Sequence, residues 1–193
     1  MDEWVNEWVN DLPVHPFAHS PIRPFTHCLM NTLEKLGAFN VWANTTVLNR
    51  LDEVAATGQE IPPVVLRLFS HVLNAQAIWI ARIGGTASPV KVWQEHDLPA
   101  CHQLHAQTSK PLHQLMVHAD TPELHRLISY TNSLGDSYES LVHDILTHAV
   151  VHASYHRAQV ATRLRDHGLE PVNSDFITYC RELSAAGRAT VSL

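Results

Sequence analysis

From about Thr26 to Ala56 the apolar positions step by three or four residues. Leu29, Leu33, Leu36, Ala43, Val47, Leu51 and Val54 share one stripe, which is polar only at Asn40. That period predicts a first long helix, and Gly58 supplies its stop. Pro62-Pro63 suit the first turn of a second helix, which runs to about Ile83 and ends at Gly84-Gly85. Its inward stripe is Val64, Leu68, His71, Ala75 and Ile78, so a histidine stands where a core residue is expected. Residues 86–97 read as a loop. A third helix is predicted over 98–118, kinked or broken near Pro111. Its histidines His102, His105, His113 and His118 keep no common face and read as solvent residues.

Leu127 to Tyr138 places two short β-prone runs around Asn-Ser-Leu-Gly-Asp, the pattern of a small hairpin. The last long helix is predicted from about Ser140 to His167, closed by Gly168 with Pro171 beyond it. The tail from Val172, with Asp175, Phe176 and Tyr179, is expected to pack back across the helices. These elements define an all-α protein: an antiparallel four-helix bundle with a small β-hairpin insertion before the last long helix.

Residues 1–25 stand apart from this bundle domain of 26–193 as an N-terminal arm. The arm opens with a repeat, Glu3-Trp4-Val5-Asn6 and Glu7-Trp8-Val9-Asn10. On a helix Trp4 and Trp8 share a face, which suits a docking segment that finishes the core or an interface. Pro13, Pro16, Pro21 and Pro24 then predict an irregular, surface-hugging stretch. The apolar surface of the arm makes a homodimer the expected assembly; an arm folded onto its own bundle is the alternative.

Composition narrows the function. The 193 residues are 45% apolar, enough for one domain with a real core, and only 17% are charged. Histidine supplies the remaining polarity, with 15 residues. A net charge of −6 without a Lys/Arg cluster argues against a nucleic-acid partner. Cys28, Cys101 and Cys180 are odd in number and far apart, which suits a reducing compartment. The chain starts Met1-Asp2-Glu3, acidic where a secretory signal is basic. Its longest wholly apolar run, about Ala77 to Ala81, is far short of the roughly 20 residues of a membrane span. The expectation is a soluble, cytoplasmic protein with no membrane partner.

The chemistry concentrates in the last long helix. His148, His152 and His156 are four residues apart, so all three share a face with Leu141, Ile145 and Ala149, while His143 lies opposite. Spacing alone is weak, because 15 histidines in this length give roughly one such pair by chance. Burial strengthens it. An imidazole facing a core needs partners for both nitrogens. A divalent ion held by two of them at i and i+4, with a third ligand from a facing helix, meets that need; His71 is the histidine on the inward stripe of the second helix. A hydrogen-bonded polar core, or placement by chance, are the other readings of the same pattern.

Several segments together carry a resemblance. They are Val41-Trp42-Ala43-Asn44, Leu68 to Ala75 leading to Ile78-Trp79, Tyr130-Thr131-Asn132, His148 to Gln159 with His-Arg at 156–157, and the tail Gly168, Pro171, Asp175-Phe176 and Tyr179. Over about residues 26–182 the chain resembles the DinB/YfiT-like family of metal-binding four-helix bundles. The resemblance implies a divalent metal, nickel or zinc, on His71, His152 and His156. It places His148, Asn40, Tyr155 and Gln159 around those ligands or in the pocket wall. Ala158 replaces the glycine common after the His-Arg pair, which implies a slightly tighter helix contact. The family includes thiol S-transferases and a thiol-dependent isomerase. The implied activity is therefore a metal-dependent transfer of an external small thiol to an electrophilic small molecule. A metal-dependent hydrolase and a non-catalytic bundle with a structural ion are the alternatives.

Overall fold

Prolines, aspartates and glycines set most of the element ends. The computed structural model describes residues 32–132 and 135–189. Helix α1 spans Thr32–Ala56, α2 Pro63–Ile83, α3 Leu98–His118, the single turn α4 Thr121–Leu124, α5 Val142–Asp166 and α6 Phe176–Ala189. Pro63 opens α2 in its first turn, where a missing N–H costs nothing. Asp97 accepts from Ala100 N at 2.8 Å and starts α3; Asp120 does the same for α4 from Glu123 N at 2.9 Å. Gly58 and Gly168, at φ 76° and 72°, turn the chain out of α1 and α5. Strands β1, Leu127–Thr131, and β2, Ser137–Leu141, pair antiparallel with Tyr130 opposite Tyr138, and β2 feeds straight into α5.

Around the bundle the neighbours run α1, α3, α2, α5. Asn44 meets Ser109 and Asp52 meets His102, so α1 and α3 are antiparallel. His71 meets His156 while Trp79 meets His148, so α2 and α5 are antiparallel as well. The two pairs are joined by parallel neighbours: Ser70 meets Cys101 and Gln76 meets Ser109. Parallel α2 and α3 require residues 84–97 to travel back along the bundle before α3 can begin.

The apolar core forms two clusters. One holds Phe39, Ala43, Leu112, Met116, Leu146 and Val150; the other holds Val47, Leu51, Phe69, Leu73, Leu104 and Val160. Asn44, Ser109 and Arg157 are buried between them in sequence, and Asn40 and Gln76 are buried within their stretches. Arg157 donates to Asn40 Oδ1 (3.2 Å), Asn44 Oδ1 (2.9 Å) and Ser154 Oγ (2.9 Å), and it lies over the Phe39 ring. Gly37 lets α1 and α3 approach closely, since a Cβ there would meet His113 Cδ2 at 2.8 Å and Met116 Sδ at 2.7 Å. By length and composition α2 is apolar enough to cross a membrane, but most of it is buried in the bundle, with His71, Asn74 and Gln76 among its buried residues. It reads as a core helix.

Four expectations need adjustment. Helix α3 continues through Pro111, because its buried Leu104, Thr108, Leu112 and Met116 pack between α1 and α2 and outweigh one lost backbone bond. The tail does pack back, but as a helix: Phe176 meets Phe39 edge-on at 5.2 Å, and Tyr179 lies 5.6 Å from Trp42. His105 is no solvent residue. It is half-buried between Thr45 Oγ1 (3.1 Å) and Ser109 Oγ (2.8 Å). His148, expected to point inward, is exposed. The arm of 1–25 and the expected first turn of the first helix lie outside the described residues.

Burial first, then the positive charges of His102 and Lys110, lower His105 to about 4. The unfolded chain, with histidine near ~6.5, therefore binds the proton first. The His105 contribution to stability is fully present above about pH 6.5 and is lost as pH falls toward 4. His105→Gln is expected to flatten the fall of unfolding free energy over that interval, measured by urea titrations at several pH values.

Candidate metal centre

Two helices and one crossing segment build the site. Helix α2 presents His71; one turn apart on α5 are His152 and His156. One ligand-capable atom from each of the three lies within 4.8 Å of the others. His71 meets His156 at 4.5 Å and 84° between rings, and His152 at 5.0 Å; His152 and His156 are 4.4 Å apart. Among the described residues no carboxylate or thiol joins this group.

The tautomers follow from the partners. His71 Nδ1 lies 3.0 Å from the Val92 carbonyl, which can only accept. Nδ1 therefore carries the proton, and the Nε2 lone pair is free. His156 Nδ1 donates to Gln159 Oε1 at 2.8 Å with the same consequence. Such outer partners orient the ligand rings of metal centres and raise their basicity. His152 Nδ1 is buried without any partner. An orphaned nitrogen beside two rings with free lone pairs fits a divalent cation, and three neutral imidazoles are a donor set that zinc and nickel accept.

Electrostatics favour the neutral, binding-competent form. Burial lowers the His71 pKa, with His156 and Arg67 adding to it against the Val92 bond. Burial, followed by His156, His71 and His148, lowers His152 to about 4. Protons therefore compete weakly for these rings at neutral pH.

The crossing segment was legible only as a loop, yet it supplies part of the site. Asn74 Nδ2 donates to Gln94 O at 2.7 Å, Asn74 Oδ1 pairs with His96 Nε2 at 2.8 Å, and His96 N donates to Ser70 Oγ at 3.0 Å. These bonds hold Val92 O over His71 and stack Trp93 on its ring at 3.9 Å and 11°. No spacing in the chain marks Val92 or Trp93. The Asn74-to-His71 spacing of one turn is the faint signal available.

The other expected pocket residues are dispersed. Gln159 orients His156. Tyr155 is exposed, with its ring edge-on to His156 at 5.1 Å. His148 sits 5.3 Å from His152 and edge-on to Trp79 at 5.4 Å. Asn40 is away from the histidines, bound to Arg157. Ala158 is exposed and lines a cavity of about 770 Å³ with Phe39, Val151, Ser154 and Phe176, so its methyl group tightens no helix contact. That cavity includes none of the three histidines.

A four-helix bundle with one histidine on its second helix and an i,i+4 pair on its last long helix defines a class of bundles whose histidines could hold a metal ion. The chain belongs to the DinB family, whose model matches residues 30–184. It is 25% identical over 159 residues to "Protein DinB" of Bacillus subtilis (strain 168), covering 75% of this chain and 91% of that protein.

Changing His71, His152 or His156 to alanine is expected to weaken zinc or nickel binding by more than about 100-fold, beyond the range of outer-partner losses. Asn74→Ala is expected to cost about 10- to 100-fold by loosening the Val92 carbonyl, and His148→Ala to leave affinity within about twofold. Chelator competition measures all five. In the wild type, bound metal is expected to hold through pH 6.5 and to be released as the pH falls toward 4.

Proposed function

We propose that this chain is a metal-dependent transferase that joins the sulfur of an external low-molecular-weight thiol to an electrophilic small molecule. The observation that carries the reading is a three-histidine donor group with no fourth protein donor among the described residues. A zinc or nickel ion held there would supply positive charge that lowers the pKa of a thiol or water reaching it. The protein's own part is to keep His71 and His156 in the Nδ1–H tautomer through Val92 and Gln159, to keep His152 neutral, and to wall one side with Trp93.

In balance, the thiol gives up its S–H proton and its sulfur forms the new S–C bond. The leaving group departs from that carbon with the bonding pair. An external thiol fits the state of Cys101, which is buried. Burial pushes the Cys101 thiol up to about 11, which makes it inert. Hydrolysis is the weaker reading, since no carboxylate stands with the histidines as a general base. The same proposal makes the protein a cytoplasmic homodimer acting on small molecules rather than DNA. The exposed Val151, Phe176 and Ile177 support a dimer, and light scattering at twice 21.7 kDa is its check.

The test is thioether formation from 2-mercaptoethanol and 1-chloro-2,4-dinitrobenzene, with chloride and a proton as the other products. Zinc- or nickel-loaded protein is expected to exceed the buffer rate, His152→Ala to fall to it, and Cys101→Ser to remain active. A panel of small thiols and electrophiles that never exceeds the buffer rate with either metal would refute the transferase.

A further inference from the structure

We propose that Arg82 is the carboxylate-binding end of the thiol site, so that the thiol this protein uses carries a distal carboxylate. This rests on the reading that a thiol binds at His71, His152 and His156. Along α2, His71, Ala75, Trp79 and Arg82 recur at steps of four, four and three and share one face. Along α5, running the other way, His156, His152 and His148 form the facing row. Ring contacts join the rows: His152 to His148 at 5.3 Å, then His148 to Trp79 at 5.4 Å. The Arg82 guanidinium lies 4.5 Å from the Trp79 ring and 4.5 Å from Tyr130. The seam thus has a histidine end, an aromatic middle and a cationic end.

Arg82 is built as a receptor. Its two ring neighbours and the bond from its Nη2 to Thr131 O at 3.0 Å fix the plane of the guanidinium. Among the described residues it enters no ion pair, and none of its nitrogens is buried without a partner, so its remaining donors face water. A fixed, half-buried guanidinium with open donors matches a carboxylate in two-point geometry. Eleven residues of helix separate His71 from Arg82, about 16 Å of rise. The arginine side chain leans back over Trp79, toward the histidines, which shortens the reach. One extended small molecule can therefore touch both ends. Ala75, the smallest residue on the strip, lies between them.

The test uses full-length protein loaded with cobalt(II) and three thiols: 8-mercaptooctanoate, 8-mercapto-1-octanol and 3-mercaptopropionate. The sulfur-to-cobalt absorption band reports contact with the metal, and calorimetry gives Kd. The octanoate is expected to bind about tenfold tighter than the alcohol, as a charge-assisted pair implies. Arg82→Gln is expected to bring that ratio below about twofold with the alcohol's Kd unchanged. Arg82→Lys is expected to restore part of the ratio. The short acid cannot span the strip, so its Kd is expected not to change with Arg82. Arg163→Gln, at an exposed ion pair with Asp166, should keep the wild-type ratio.

Equal affinity for acid and alcohol in the wild type overturns the proposal, as does an undiminished preference in Arg82→Gln. Should that variant fail to fold by circular dichroism, Arg82→Lys decides by a lowered ratio or an unchanged one. Octanoate that shows the same arginine-dependent gain while binding alongside saturating 2-mercaptoethanol would assign the anion to the other reactant, and would also overturn it. Protein that takes up no cobalt, or shows no sulfur-to-cobalt band, removes the transferase reading instead. Octanoate against octanol on the metal-free protein then still decides Arg82.

Discussion

The bond from His71 Nδ1 to the Val92 carbonyl ties the bundle's topology to its chemistry. Parallel α2 and α3 oblige residues 84–97 to return along the bundle, and that return brings a carbonyl over a buried ring. The carbonyl has two lone pairs; His71 takes one and Asn74 Nδ2 reaches the same oxygen at 3.4 Å. Without it His71 would bury an unpaired N–H, at a cost of about 1–3 kcal/mol. With it the proton is fixed on Nδ1, Nε2 is left basic, and Trp93 is delivered to the ring face as the next residue in the chain. One backbone oxygen thus couples loop closure, tautomer and site wall.

Arg157 plays the corresponding part on the other flank of α5. A fully buried guanidinium carries a desolvation penalty of several kcal/mol. Its three hydrogen bonds, at about 1.5–3 kcal/mol each for a charged donor, offset much of that, while its buried Nε is left without a partner. The net contribution to stability is therefore small, and what the arginine supplies is register. Asn40 and Asn44 on α1 can meet it only at one axial and rotational setting of α5. That setting turns the neighbouring His156 toward α2 and His71. The polar residues between the two apolar clusters thereby constrain where the histidines stand.

The long helices and the hairpin were legible because each has a clean period or a turn signal. The stripe of α1, the Pro62-Pro63 and Gly84-Gly85 bounds of α2, and the two runs around 132–136 needed no tertiary information. Helix α6 was not legible, because its hold on the bundle comes from Phe39 and Trp42, about 140 residues distant. Pro111 misled because packing on both sides of α3 outweighs one missing bond. The spacing of 148, 152 and 156 was legible as one face but not as a gradient. His148 is exposed, His152 half-buried and His156 buried, a gradient that tertiary packing sets and spacing alone does not show. His105 was hidden for a related reason: beside Ser109, one turn along its own helix, its other partner Thr45 stands on α1.

The choice between a polar core and an ion site, open from the sequence, turns on what the three rings do with their nitrogens. In a satisfied polar core each imidazole donates from one nitrogen and accepts at the other. Here the two outward-bonded rings, His71 and His156, both donate, so both present lone pairs to the shared space, and no hydrogen bond joins the three. His152 adds a buried nitrogen with no partner. Protonating a ring would supply a donor, but burial and the neighbouring rings hold His152 down at about 4 and His71 below its usual value, which closes that route for those two rings at neutral pH. Lone pairs that converge without meeting one another make an electron-rich group, one that could hold a divalent cation.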